Sequence, residues 1–203
     1  MNELLFLSLC SLLFGTMILL GWRYLPHDRF QILATVPVRR DALGHWQGIN
    51  FTWYGLLLAT STVIAIFFVL MLCRAAGLAL APLLALLAAI IGLCVPAARW
   101  VARLVEKKQY TFTIGGAFFC GLVATPLIIL LINGGCLLLE RPTLPMQVVL
   151  AALGIGYILG EGLGRLACLS FGCCYGKPLC QCGRVATQLL KPLAVVFTAP
   201  TKK

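Results

Sequence analysis

Residues 160–178 hold the side chains whose types and spacing could do chemistry, in the segment GEGLGRLACLSFGCCYGKP. Glu161 and Arg165 stand four positions apart, so on a helix they lie on the same face and can form an ion pair. Ionisable residues at membrane depth are costly to keep, so a retained pair predicts a functional site. The structural alternative is a helix end at the interface, where Arg165 only extends its charge towards water.

Glycines surround this pair on both sides. A bare backbone near Arg165 allows a lipid or a neighbouring helix to approach closely, and the two outcomes are compatible. The residues concerned are Gly160, Gly162, Gly164, Gly172 and Gly176. A second segment with adjacent glycines, TFTIGG at residues 111–116, is a weaker signal of the same kind.

Four of the ten cysteines are clustered in CCYGKPLCQC, at Cys173, Cys174, Cys180 and Cys182. Thiols this close together could bind zinc, or could form disulfides on an oxidising side of a membrane. The spacing is not that of paired CxxC motifs, and no other motif indicates a metal or a cofactor. We therefore predict no obligatory metal and no cofactor.

The elements that must position these residues are membrane-spanning helices. Of the 203 residues, 61% are hydrophobic and 11% are charged, and the mean hydropathy is +1.00. A spanning helix needs roughly 20 mostly apolar residues. Stretches that meet or nearly meet this length run over 4–20, 51–72, 75–98, 112–132 and 144–163. The sequence predicts an all-α, polytopic integral membrane protein with about five transmembrane helices, the first of them retained rather than cleaved.

The polar segments are too short to form a soluble domain, so we expect a single membrane domain over 1–203. The first helix, 4–20, is expected to be an addition to it. The link at 73–77 is so short that the second and third helices are expected to form a tight antiparallel hairpin. Residues 193–199 are apolar but too short to span the bilayer.

Charge is distributed unequally if five helices alternate in direction. One side carries Arg74 and Arg141, and the other carries the remaining fourteen Lys and Arg with all four Trp. Charge bias alone predicts that this basic face is cytoplasmic. A basic face also attracts anionic lipid headgroups. No nucleotide-phosphate loop, serine-nucleophile motif or nucleic-acid module is present.

Three segments, in this order, resemble the prolipoprotein diacylglyceryl transferase family. FTWYGLLLA at 51–59 resembles the family's first core helix, and TFTIGGAFFCGLVA at 111–124 resembles its helix with a glycine pair. GRLACLSFGCCYG at 164–176 resembles its GRxGNFxNGExxG signature. The resemblance covers 48–190 and rests mainly on the third segment.

The resemblance implies transfer of a diacylglyceryl group from phosphatidylglycerol to the thiol of a lipoprotein cysteine. The family works at the outer face of the bacterial inner membrane, as a multi-pass protein. The partners implied are phosphatidylglycerol or another anionic lipid, and prolipoprotein signal segments. By position, Arg165 would hold the lipid phosphate and Tyr54 would line the headgroup pocket, as the catalytic residues. The substrate-binding residues would be Gly115, Gly116, Glu161, Cys168, Gly172 and Gly176.

This chain departs from the family pattern at two of these places. Ile114 stands where the family has a histidine, and Cys168 stands where the signature has asparagine. His27 and His45, in the first polar loop, could supply a base or could simply be solvated. Two functions stay open: a transferase, active or degenerate, and a non-catalytic membrane protein that binds anionic lipid or a partner through its basic face. The resemblance places the basic face outside, against the charge bias.

Overall fold

The computed structural model describes residues 3–27, 29, 31–40, 44, 46–106, 114–173 and 177–198. The described chain is mostly helical, and its strands form one hairpin. The helices are α1 (Glu3–Tyr24), α2 (Trp53–Ala75), α3 (Leu80–Glu106), α4 (Ile114–Leu138), α5 (Met146–Phe171) and α6 (Arg184–Leu190). The strands β1 (Ile32–Arg40) and β2 (Trp46–Thr52) stand between α1 and α2.

Helices α1 to α5 are each long and apolar enough to cross a membrane. Only 6–22% of each apolar window is buried inside the described protein, so most of the apolar side chains must be covered by lipid. The prediction of an all-α polytopic membrane protein with about five spans is confirmed. Helix α5 continues past its predicted end at 163, because polar side chains in its last turns do not interrupt backbone hydrogen bonding.

The β1–β2 hairpin was not predicted from the sequence. It is antiparallel, with Val36 opposite Ile49 and Thr35 opposite Asn50. The Thr35 hydroxyl donates a hydrogen bond to Asn50 Oδ1 at 2.8 Å. A β-branched run in ILATVPV and an alternating pattern in WQGINFT are the signals that could have indicated it.

The described chain divides into two compact units, Met1–Ala65 with Tyr157–Lys203, and Ile66–Gly156. Helices α2 and α5 contribute residues to both. In the first unit, α1, the first part of α2 and the last part of α5 share one apolar cluster. Its members are Leu25, Leu163 and Leu166, with Phe14, Met17, Leu57, Ile64 and Leu169 packed against them. The single membrane domain predicted from the sequence stays a prediction.

Small residues let α5 approach α2 within the first unit. A Cβ built on Gly160 would lie 3.1 Å from the Ala65 Cβ, and one built on Gly164 would lie 3.8 Å from the Ser61 Oγ. Such small-residue faces allow the backbones of membrane helices to pack closely. These glycines therefore allow close packing of α5 on α2, and this packing positions the helix that carries Glu161 and Arg165.

The second unit has its own core, which includes Cys73, Leu83, Leu86, Ile129 and Val149. Helix α3 packs along α4 in this unit. At the short link, the Leu78 N–H donates to the Cys73 carbonyl at 3.1 Å, and Cys73 of α2 shares the core with Leu83 of α3. The tight α2–α3 hairpin expected from this link stays a prediction. The Asn133 side chain bonds to both the N–H and the C=O of Leu144, at 2.7 and 2.9 Å, just before α5 begins.

Replacing Gly160 with Leu is expected to separate α5 from α2 and to lower the free energy of unfolding by about 1–3 kcal/mol, as overpacking does. The matched control is Gly162→Leu on the same helix, because nothing lies within 4 Å of its Cβ position. Thermal unfolding of the purified protein in detergent measures both. An equal loss in the two variants would contradict the packing role of Gly160.

Candidate functional site

Glu161 and Arg165 meet on the last turns of α5, as their spacing predicts. Arg165 Nη2 donates a hydrogen bond to Glu161 Oε1 at 2.6 Å. The Tyr157 hydroxyl, one turn earlier, donates to Glu161 Oε2 at 3.4 Å. The Arg165 side chain is 58% exposed and that of Glu161 is 28% exposed. The carboxylate therefore holds a guanidinium that is still more than half exposed.

Arg165 lines a cavity of about 920 Å³ in the first unit. Lys177 supplies a second cation, and most of the remaining wall is apolar. The described lining residues are Trp22, Arg165, Cys168, Leu169, Lys177, Pro178, Leu179, Leu190 and Leu193 to Phe197. Two cations in a largely apolar cavity at the end of a membrane span fit an anionic group joined to a hydrocarbon body.

Two parts of this wall were missed by reasoning from the sequence. Trp22 comes from α1, which was expected to be an addition to the membrane domain. Residues 193–197, dismissed as too short to span, lie along the cavity. The Thr198 N–H donates to the Pro26 carbonyl at 3.3 Å, and His27 Nδ1 lies 3.4 Å from the Thr198 hydroxyl. No sequence signal indicates that this segment returns to the end of α1.

A family model described as prolipoprotein diacylglyceryl transferase matches residues 42–202, most of the chain. The chain belongs to the prolipoprotein diacylglyceryl transferase family. No curated protein and no solved structure gave a match. The family assignment makes this a multi-pass membrane protein of a transferase family that serves lipoprotein biosynthesis.

Helix α1 precedes the part of the chain that the transferase family model matches. It nevertheless packs against α5 at the segment 164–176, which resembles the family signature. A Cβ on Gly21 would overlap the Leu166 side chain, and Leu25 is buried against Leu163 and Leu166. The position of Trp22 in the cavity wall follows from this packing.

Tyr54 stands in the first turn of α2, and its ring contacts Phe171, the last residue of α5, with ring centroids 5.4 Å apart. The segment 51–59, which resembles the family's first core helix, thus contacts the segment 164–176, which resembles the family signature. Of the described residues, those that line the cavity include Cys168 but not Tyr54. The pocket-lining role of Tyr54 stays a prediction.

The signature glycine Gly172 has a backbone role that spacing alone did not show. It is buried at φ +66°, and its N–H donates to the Cys168 carbonyl at 2.8 Å. A left-handed residue just after the last turn is the usual way to end a helix. Gly172 therefore terminates α5 directly beyond the cavity, and its predicted contact with substrate stays untested.

The other predicted site glycines lie elsewhere in the chain. Gly115 and Gly116 begin α4 in the second unit, where a Cβ on Gly116 would lie 2.8 Å from the Val101 side chain. Gly116 thus allows close packing of α4 on α3. Gly176 lies outside the described residues, as does His45. The substrate-binding role of these glycines stays a prediction.

The cysteine cluster is only partly described, because Cys174 lies outside the described residues. Cys180 is exposed, and the Cys182 thiol donates to the Pro178 carbonyl at 3.6 Å. Within the described ranges, no three His, Cys, Asp or Glu side chains are grouped so that they could hold a metal ion.

We expect Gly172→Ala to lower the free energy of unfolding by about 1–2 kcal/mol, the cost of placing a Cβ in the left-handed region. Gly172→Asn should cost less, since Asn tolerates this region. Gly154→Ala, in the same helix with open space around it, is the control and should be nearly neutral. Chemical unfolding in mixed micelles measures all three. If Asn and Ala are equally harmful, lack of space rather than backbone conformation governs this position.

Proposed function

We propose that this protein binds the phosphate of phosphatidylglycerol in the Arg165 cavity and transfers the diacylglyceryl group to a cysteine thiol of a prolipoprotein. One observation carries the proposal: an arginine oriented by a carboxylate at 2.6 Å lines a largely apolar cavity at the end of a membrane span. A planar guanidinium can donate two parallel hydrogen bonds to a phosphate. Its place within the family signature agrees with that role.

The chemistry required is a displacement at the glyceryl carbon that bears the phosphate. The thiolate sulfur forms a C–S bond, the C–O bond to phosphate breaks, and glycerol phosphate leaves with the electron pair. The proton of the thiol must pass to a base or to the departing phosphate. Arg165, with Lys177 in the same cavity wall, would stabilise the negative charge that develops on the phosphate oxygens.

A second candidate function is lipid binding without transfer. None of the described residues that line the cavity is a His, Asp or Glu. Glu161 accepts the hydrogen bond from Arg165, and Ile114 stands where the family has a histidine. If neither a base nor the departing phosphate accepts the thiol proton, the site would bind the lipid and leave it unchanged. In that case the basic face would serve to bind anionic lipid or a partner helix.

The proposal is tested by lipidation of a reporter lipoprotein in a bacterial strain depleted of its own transferase. The wild-type chain should restore lipidation, and Arg165→Ala should reduce it at least tenfold, about 1.4 kcal/mol of transition-state stabilisation. Arg165→Lys should not restore reporter lipidation, because a lysine ammonium cannot donate the two parallel hydrogen bonds that a planar guanidinium donates to a phosphate. Arg184→Ala is the control, an exposed cation outside the described cavity wall.

Binding measured separately decides between the two functions. Native mass spectrometry of the purified protein should show phosphatidylglycerol bound in preference to phosphatidylcholine, with the preference lost in Arg165→Ala. Binding without reporter lipidation would support the non-catalytic role. If Arg165→Ala binds phosphatidylglycerol as well as the wild type does, the assignment of the site is wrong.

The proposed reaction also requires the basic face to lie on the outer side of the bacterial inner membrane, where translocated substrates arrive. We therefore expect Cys180, which is exposed, to react with a membrane-impermeant thiol reagent in intact spheroplasts. Cys136, at the end of α4 and on the opposite side if the spans alternate, should react only after permeabilisation. The reverse pattern would place the basic face in the cytoplasm, as charge bias predicts.

A further inference from the structure

The β1–β2 hairpin has one apolar face, and that face is exposed. Side chains alternate between the two faces of a strand, and residues paired across strands share a face. The register therefore places Ala34, Val36, Ile49 and Phe51 on one face. Val36, Ile49 and Phe51 are all exposed, so nothing in the described protein covers this face.

The opposite face of the hairpin is polar at its middle, and towards its far end it carries Pro37 opposite Gly48 and Arg40 opposite Trp46. Thr35 and Asn50 are paired at the middle and joined by the 2.8 Å hydrogen bond. A two-stranded hairpin is marginally stable alone in water, so an uncovered apolar face indicates that something else packs against it.

Cations stand at the far end of the hairpin. Arg39, opposite Gln47, shares the apolar face by register, and Arg40 lies over the Trp46 ring at 5.3 Å from its centroid. Arg40 Nε also donates to the Gly44 carbonyl at 3.1 Å. An apolar strip bordered by Arg39, with Arg40 and Trp46 at the same end of the hairpin on the other face, matches the layer where acyl chains meet anionic headgroups.

The near end of the hairpin is fixed to a membrane span. Strand β2 ends at Thr52 and α2 begins at Trp53 with no residue between them. The Trp53 N–H donates to the Gln31 carbonyl at 3.2 Å, and the Gly55 N–H donates to the Thr52 hydroxyl at 3.2 Å. The apolar face therefore starts at the membrane boundary, within reach of the bilayer surface.

We propose that the hairpin lies along the membrane surface, with Val36, Ile49 and Phe51 in the acyl–headgroup boundary and Arg39 against anionic lipid phosphates. Continuity with α2 and the charge of the far end favour lipid as the occupant of this face over a second copy of the chain. Strand edges could also pair with a peptide, but edge pairing would leave the apolar face uncovered. The hairpin would anchor the loop between α1 and α2 independently of any transfer reaction.

The test uses the full chain in proteoliposomes containing phosphatidylglycerol, with the photoreactive residue p-benzoylphenylalanine in place of Ile49. The matched control carries it in place of Asn50, the next residue of β2 and on the opposite face. Both positions are exposed, so the bulky residue should be accommodated. We expect a phospholipid adduct at position 49 and several-fold less at position 50, measured by intact mass.

The charge contribution is measured in the same system. Replacing phosphatidylglycerol by phosphatidylcholine, or Arg39 by Gln, should lower the adduct yield at position 49 by up to about fivefold, the effect of one cation near an anionic surface. Arg40→Gln, on the other face, is the control and should lower it less.

Three results would overturn the proposal. Equal lipid adducts at 49 and 50 would mean that the hairpin has no preferred face towards lipid. An adduct of position 49 with a second copy of the chain would mean that the face is a protein interface. No adduct at either position would mean that the hairpin extends into water. Each of these outcomes leaves the proposed transfer function to be judged by reporter lipidation alone.

Discussion

Keeping a guanidinium at the end of an apolar helix costs free energy unless a partner and an aqueous or anionic environment are supplied. Glu161 supplies the partner to Arg165, since the α5 helix places both on one face and joins them at 2.6 Å. The carboxylate is itself contacted by Tyr157 one turn earlier. Much of the first unit can be understood as the set of contacts that holds this one helix, and its charged end, in place.

The contacts differ in kind but act on the same helix. Gly160 and Gly164 admit the α2 backbone on one face of α5, and Leu163 and Leu166 take part in the apolar cluster with α1. Gly172 ends α5 at a positive φ. Beyond that point the chain returns as the cavity wall at residues 193–197, next to the end of α1. The cavity therefore depends on segments that precede and follow the signature.

The two proposals give this protein two independent lipid-binding sites, the Arg165 cavity and the β1–β2 hairpin. The cavity offers cations within an apolar wall, which suits one phosphate on one molecule. The hairpin offers an extended apolar face with cations at its far end, which suits a surface of many lipids. The two sites differ in how they would bind lipid. The cavity would depend on the paired hydrogen bonds of the Arg165 guanidinium, whereas the hairpin would depend only on its exposed apolar area and its positive charge.

The sequence by itself determined the class of protein, the number of spans, the family and the Glu161–Arg165 pair, because hydropathy and helical spacing are local properties. The tertiary structure decided what these local properties cannot show: the β1–β2 hairpin, the packing of α3 along α4, and the cavity wall at Trp22 and residues 193–197. It also gave Gly116 and Gly172 structural roles that a motif cannot distinguish from binding roles. A cavity is formed by residues far apart in the chain, so its lining follows from packing and not from spacing.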